Sequence, residues 1–402
     1  MPERGARSAS TNFSGTRSSQ LETAIDPVEL TARLVRCPSV TPEEAGAISL
    51  LEHLLRNEGF DCFRIERGGI SNLFARWGPR DAKSVFGFNG HTDVVPPGNP
   101  DEWSVDPFGA EVSEGQLWGR GAADMKSGVA AFTAASIEFA RMHPDRGAIV
   151  LTITGDEEAI AEDGTVAILD WMEKNGERMD ACLVAEPTCP EKFGEAMKIG
   201  RRGSLSVRVR IEGIQGHSAY PDRARNPVAA MARLADSLSS AELDRGTENF
   251  EPSVLSVTSI DTGNPASNVI PASCEATVNI RFNDSHSGKS LLDWLNLEAQ
   301  TVEDAFGVKA NLQKTSLGEC FVTEPGDLTG LVSDAVLQTV GRSPKMSTSG
   351  GTSDARFIKD HCPVVEFGLI GATIHQVDER VSIADIRSLT EIYFRILDGW
   401  HD

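Results

Sequence analysis

Four short apolar runs, residues 84–88, 148–154, 181–185 and 363–367, each lead within a few positions to histidine or acidic residues. His91 and Asp93 follow the first run, Asp156, Glu157 and Glu158 the second, Glu186 the third and His375 the fourth. The runs read as buried strands, and helically periodic segments such as residues 125–140 and 165–173 lie between them. Strands alternating with helices predict an α/β fold with a mostly parallel sheet. In such sheets ligands bind beyond the carboxyl ends of the strands. Asp124, where the Gly-rich run 119–123 enters a helix, belongs to the same set. Two imidazoles and several carboxylates from distant parts of the chain are therefore expected to converge on one edge.

Between residues 203 and 310 the texture changes. Leu205, Val207, Val209 and Ile211 alternate with Ser206, Arg208 and Arg210, the pattern of a strand with one wet face. A helix is predicted next, with Asn226 as N-cap and Pro227 in its first position. Strands near 254–260 and 276–282, a helix near 291–306 and a strand near 308–312 complete the order βαββαβ, a ferredoxin-like arrangement. The expected plan is a disordered tail at 1–24, an α/β catalytic domain at 25–202 and 316–402, and an inserted α+β domain at 203–315.

A chain of 402 residues with 40% hydrophobic and 24% charged residues suits a soluble protein of two domains. Acidic residues outnumber basic ones, 59 to 38, and the formal charge of −21 repels nucleic-acid phosphates and anionic lipid. Neither nucleic acid nor membrane is expected as a partner, and no apolar run reaches the length of a membrane span. Seven scattered cysteines, odd in number and never spaced as CxxC, argue against a disulfide framework and a cysteine-ligated zinc. They fit a reducing cytoplasm. Residues 1–24 are rich in Ser, Thr, Arg and Gly without the apolar stretch of a secretory signal, and Glu3 and Glu22 count against a transit peptide.

Two imidazoles with three or four carboxylates suit zinc and related divalent cations better than calcium, which prefers oxygen alone. One carboxylate can bridge two cations, and another that does not ligate can take the proton of activated water. Singly, each element has a plainer reading. His-x-Asp is more often structural, Asp-Glu-Glu is usually an exposed acidic turn, and Gly350-Gly351-Thr352-Ser353-Asp354 suits a turn. No GxSxG elbow supports a serine nucleophile, and no GxxxxGK[ST] or strand-linked GxGxxG supports a nucleotide site. The joint occurrence of the elements, in order and each at a strand end, carries the metal reading.

Gly90-His91-Thr92-Asp93-Val94-Val95-Pro96, Gly119-Arg120-Gly121-Ala122-Ala123-Asp124-Met125-Lys126, Gly155-Asp156-Glu157-Glu158, Ala185-Glu186-Pro187 and Ala372-Thr373-Ile374-His375 together resemble a known family. It is the dinuclear zinc aminoacylase and carboxypeptidase family, which includes glutamate carboxypeptidases, acetylornithine deacetylases and succinyl-diaminopimelate desuccinylases. The likeness runs from about Asp26 to the C-terminus. Gly200-Arg201-Arg202-Gly203-Ser204-Leu205, Ser267-Asn268-Val269-Ile270-Pro271 and residues 350–357 are similar to the desuccinylase branch.

The resemblance implies two Zn2+ per subunit, with Co2+ or another divalent ion able to substitute at one site. His91 and Glu186 would hold one, Glu158 and His375 the other, and Asp124 would bridge. Asp93 would orient His91 through its other ring nitrogen. Glu157 would be the general base and then the acid that protonates the leaving amine. His217, in Gly216-His217-Ser218-Ala219-Tyr220-Pro221, would donate to the oxyanion in a neighbouring subunit's site; without the family it reads as a loop histidine with a local hydrogen bond. The insert would be a dimerisation domain, making a homodimer. The substrate implied is a small N-acyl amino acid, for the desuccinylase branch N-succinyl-LL-2,6-diaminopimelate. Its carboxylates need local cations, for which Arg201 and Arg281 are candidates, with Tyr220, Asn268 and Thr352 as neutral partners.

Two departures stand against the pattern. Gly371 occupies a position where the desuccinylase branch commonly has Asn, and the N-terminal tail is longer than the family usually shows. Rival expectations are a deacylase of another N-acyl amino acid such as acetylornithine, a dipeptidase or carboxypeptidase of the same family, or an inactive metal-binding homologue. Glu157 argues against the last, because ligation alone does not require it.

Overall fold

The computed structural model describes residues 24–402, so nearly all of the expected disordered tail lies outside the described residues. The larger sheet has eight strands in the order Asp61–Arg67, Ile70–Trp77, Ala148–Thr154, Val85–His91, Ala181–Val184, Val364–Glu366, Ala196–Lys198, Lys345–Ser347. Its centre, from Ala148–Thr154 to Val364–Glu366, is parallel. These are the four apolar runs of the sequence. An antiparallel hairpin, Asp61–Arg67 with Ile70–Trp77, extends one side.

Every residue of Val85–His91 and Ala148–Thr154 is buried, because helices cover both faces, as parallel sheets require. Helices Pro27–Val35, Ala47–Asn57, Ser127–Met142, Asp327–Val340 and Ile383–Trp400 share one core, and Thr165–Asn175 with Ala355–Ile358 share the other. Phe88 stacks on Phe132 at 5.4 Å and meets Tyr393 at 5.2 Å. The Tyr393 hydroxyl donates to the Phe367 carbonyl at 2.6 Å, tying the last helix to the strand region that precedes His375.

The second sheet has the order Lys309–Gly318, Gly203–Glu212, Ser273–Phe282, Val254–Asp261, all antiparallel. With helices Pro227–Ser240 and Gly288–Phe306 it gives the expected βαββαβ order, although the last strand runs on to Gly318. Asn226 caps the first of these helices, its Oδ1 accepting from the Val228 amide at 3.0 Å with Pro227 in the first turn. Leu205, Val207, Val209 and Ile211 face the helices. The opposite, polar face, with Ser204, Ser206, Asn279 and Arg281, looks across a cleft of about 510 Å³ towards Thr352 and Arg356. Among the described residues no helix is long and apolar enough to cross a membrane.

Candidate metal centre

Parallel pairing sets His91 opposite Thr154, so the loops leaving these two strands emerge side by side. Asp93 joins them. Its buried carboxylate accepts from the amides of Glu157 at 3.2 Å and Glu158 at 3.0 Å. The expected contact of that carboxylate with His91 is replaced by another: Nδ1 lies 2.9 Å from the Asp93 main-chain carbonyl and 3.6 Å from the carboxylate. The reason is that the carboxylate is turned to the two amides. Nδ1 donates to the carbonyl, so Nε2 faces the cluster and the Asp124 carboxylate, available to a cation once its proton is displaced.

Asp124 leaves a turn that only glycine admits at its start. Gly121 has φ +79°, and a Cβ there would lie 2.5 Å from Val94 Cγ1. The Asp124 carboxylate stands between the imidazoles, Oδ1 at 3.2 Å from His91 Nε2 and Oδ2 at 3.4 Å from His375 Nε2. Glu158 Oε1 is 2.9 Å from His375 Nε2, and Glu186 Oε1 is 3.9 Å from His91 Nε2. Glu157 Oε2 lies 4.0 Å from His91 Nε2. Possible ligand atoms lie within 4.8 Å of one another in each of three trios: His91, Asp124 and Glu186; His91, Glu157 and Glu158; Asp124, Glu158 and His375.

Electrostatics favour cations here. Burial pushes the Glu157 carboxyl up to about 8 and Glu186 well above its ordinary range, with neighbouring carboxylates adding to both. Hydrogen bonds to Asp124 and Glu158 push His375 up to about 10. Crowded, buried carboxylates are unfavourable as anions unless cations neutralise them. Two imidazole nitrogens within reach of carboxylate oxygens are a donor set that fits divalent metals of the zinc type.

The model of peptidase family M20/M25/M40 matches residues 87–399. The chain belongs to that family. A succinyl-diaminopimelate desuccinylase of Cereibacter sphaeroides is 63% identical over 376 residues, covering 94% of this chain and 99% of the relative. A second so named, from Ruegeria sp., is 59% identical over 378 residues, covering 94% and 99%. These matches bear out the resemblance to the desuccinylase branch. Among solved structures, aminopeptidase PepT of Bacillus cereus superposes with a TM-score of 0.78 at 19% identity, covering 94% of this chain and 99% of its own. The Bacillus subtilis YXEP protein, described as a dinuclear metal-binding peptidase of the M20 family, gives 0.70 at 14% identity, covering 92% and 96%. The likeness to these two shows the fold.

In this M20 chain the remaining expected residues divide into two groups. Arg201, Arg281 and Thr352 line a cavity of about 330 Å³ together with Asp124, Glu157, Glu158, Glu186 and His375. Arg201, however, is already paired. Its Nε donates to the buried Glu366 carboxylate at 2.8 Å and its Nη1 to the Gly351 carbonyl at 3.1 Å, so its fork is spent on holding the 350–354 turn. Arg281 is different: burial and the adjacent cations Arg202 and Arg356 hold its guanidinium below the usual range. Nε of Arg202 and Nε of Arg356 are buried without a hydrogen-bond partner. His217, Tyr220 and Asn268 do not line the cavity. They cluster, exposed, on the insert, where the His217 Nδ1 accepts from the Ala219 amide at 3.1 Å and the Asn268 carbonyl accepts from the Ser218 amide at 3.0 Å.

Sequence reasoning singled out neither Arg202, Arg356 nor the buried acids Asp354 and Glu379. Arg202, Asp354 and Arg356 stand inside quoted motifs and Glu379 a few positions past one, but nothing in composition separates them from solvated charges. Gly371 donates to the Cys189 carbonyl at 2.9 Å, and a Cβ there would make only ordinary contacts, so sterics do not impose the missing amide.

Proposed function

We propose that this chain is a two-zinc amidohydrolase that cleaves N-succinyl-LL-2,6-diaminopimelate to succinate and LL-2,6-diaminopimelate. The observation that carries it is the Asp124 carboxylate standing between His91 and His375, with Glu186 on one side and Glu158 on the other. His91, Asp124 and Glu186 would hold one Zn2+, and Asp124, Glu158 and His375 the second, with Co2+ or another divalent ion able to substitute at one site. Cations so held polarise an amide carbonyl and make water acidic near neutrality.

Glu157 takes the proton of the attacking water and returns it to the leaving amine. A carboxylate that does not ligate, held beside the cations, is placed to accept a proton and give it back. Asp93 fixes its place by holding the Glu157 and Glu158 amides together. Arg281, flanked by Arg202 and Arg356, supports a substrate that bears carboxylates, which a chain of charge −21 otherwise repels. Thr352 offers a hydroxyl on the same wall, and Arg201 steadies the turn that carries it. Relatives 59–63% identical named succinyl-diaminopimelate desuccinylase narrow the acyl group to succinyl.

A homodimer built through the insert completes the site. Val254–Asp261 is an edge strand whose Val254 and Ile260 are half exposed, and His217, Tyr220 and Asn268 are displayed on the same insert. In a dimer His217 would serve the partner's site as oxyanion donor, with Tyr220 and Asn268 beside the substrate. The seven unpaired cysteines support a cytoplasmic location. The test is a panel: zinc-loaded protein is assayed against N-succinyl-LL-2,6-diaminopimelate, N-acetylornithine and simple dipeptides. The first should give the highest kcat/KM; preference for acetylornithine overturns the substrate and leaves the metal pair standing.

A further inference from the structure

The loop that carries His375 also carries Glu379, an acid with no exposed surface. Its carboxylate faces the turn that carries Asp124. Oε1 accepts from the amides of Ala123 at 2.9 Å and Asp124 at 3.1 Å; Oε2 accepts from the Gly121 amide at 3.0 Å and from Arg120 at 2.6 Å. The Glu379 carbonyl accepts from the Gly119 amide at 2.9 Å. The turn is not a regular helix, since Asp124 has φ −122° and ψ 98°, so these amides would otherwise be buried donors without partners. The loop is anchored from its other side as well: Asp378 accepts from the amide and hydroxyl of Ser104, both at 2.8 Å. One carboxylate thus fastens two segments 255 residues apart that bear Asp124 and His375.

We infer that Glu379 is a positioning residue for the metal pair, holding the Gly121, Ala123 and Asp124 amides so that the Asp124 oxygens stay between the two imidazoles. The inference rests on the metal reading of the preceding subsection. Glu379 touches neither the imidazoles nor the cavity, and acts through the turn. A carboxylate is needed because the site presents donors only. Glutamine would bring an NH2 against the Gly121 amide or Arg120, donor facing donor.

The experiment compares three metal-free full-length proteins, wild type, Glu379→Gln and Glu177→Gln, by zinc competition with a chromophoric chelator and by urea unfolding. Glu177 is the control: its side chain is also buried, and it pairs at 2.9 Å with Arg76, a strand residue that sits opposite Val150 near the start of that strand, away from the ligand edge. Glu379→Gln should weaken zinc binding about 10–100-fold, as losing a ligand-orienting group does. Glu177→Gln should lower the urea midpoint while keeping both zinc affinities. Unchanged zinc affinity in Glu379→Gln, or an equal loss in Glu177→Gln, overturns the inference alone. A wild type that binds fewer than two ions overturns the metal reading and this inference with it. Should Glu379→Gln not fold, amide exchange in metal-free wild type decides. Residues 121–124 should exchange as slowly as the helix Ser127–Met142, and fast exchange there overturns the inference.

Discussion

Glu157 and Glu158 are adjacent in sequence yet face different imidazoles, Glu157 lying 4.0 Å from His91 and Glu158 2.9 Å from His375. On the proposed mechanism the first is the proton carrier and the second a ligand. Glu157→Gln should lower kcat by about 10²–10⁴-fold while metal analysis still finds two zinc per subunit; retained turnover would contradict the role. The imidazoles give a second expectation. In the metal-free protein carboxylate partners keep both protonated, His375 up to about 10 and His91 well above its ordinary value although burial opposes it. Zinc must displace those protons, so its affinity rises with pH and falls on acidification, by about tenfold per pH unit for each proton displaced. Calorimetry in buffers of different ionisation enthalpy would count the protons, and a pH-independent affinity would refute the assignment.

At the scale of elements, the helix Ser127–Met142 approaches the strand end before Glu186 so closely that a Cβ at Gly128 would lie 2.5 Å from the Ala185 carbonyl. The obstacle is backbone, which cannot rotate away. Gly128→Ala should cost about 1–3 kcal/mol in urea unfolding and weaken zinc binding, since Ala185 precedes Glu186, a proposed ligand. Gly330 supplies the contrast, an exposed helix glycine with nothing near its absent Cβ. Gly330→Ala should stabilise by about 0.5–1 kcal/mol without touching activity.

For the molecule as a whole, the exposed His217 group and the open edge strand make subunit exchange the informative measurement. Glu157→Gln and His217→Ala homodimers should each be nearly inactive. After dissociation and mixing, heterodimers contain one intact site, so activity should recover to about a quarter of wild type if statistical pairing holds. No recovery would place His217 outside the partner's chemistry.

The apolar runs at 84–88, 148–154, 181–185 and 363–367 were legible as strands because burial on both faces demands uninterrupted hydrophobicity. The alternation of 205–211 announced the insert for the complementary reason. The hairpin Asp61–Arg67 with Ile70–Trp77 was not legible, because its outer strand lies at the sheet edge and carries Asp61, Arg64, Glu66 and Arg67. At the site, the sequence alone determined which side chains reach one edge, since most of them stand just past the end of a run that reads as a buried strand. Only the tertiary structure decided their duties. Arg201 and Glu379 look alike in sequence to solvated charges, and it is the buried partner at each end, Glu366 for one and the Asp124 turn for the other, that makes them braces. Pairing across 165 and 255 residues is a property of the packed interior, where an ion without a partner is too costly to keep.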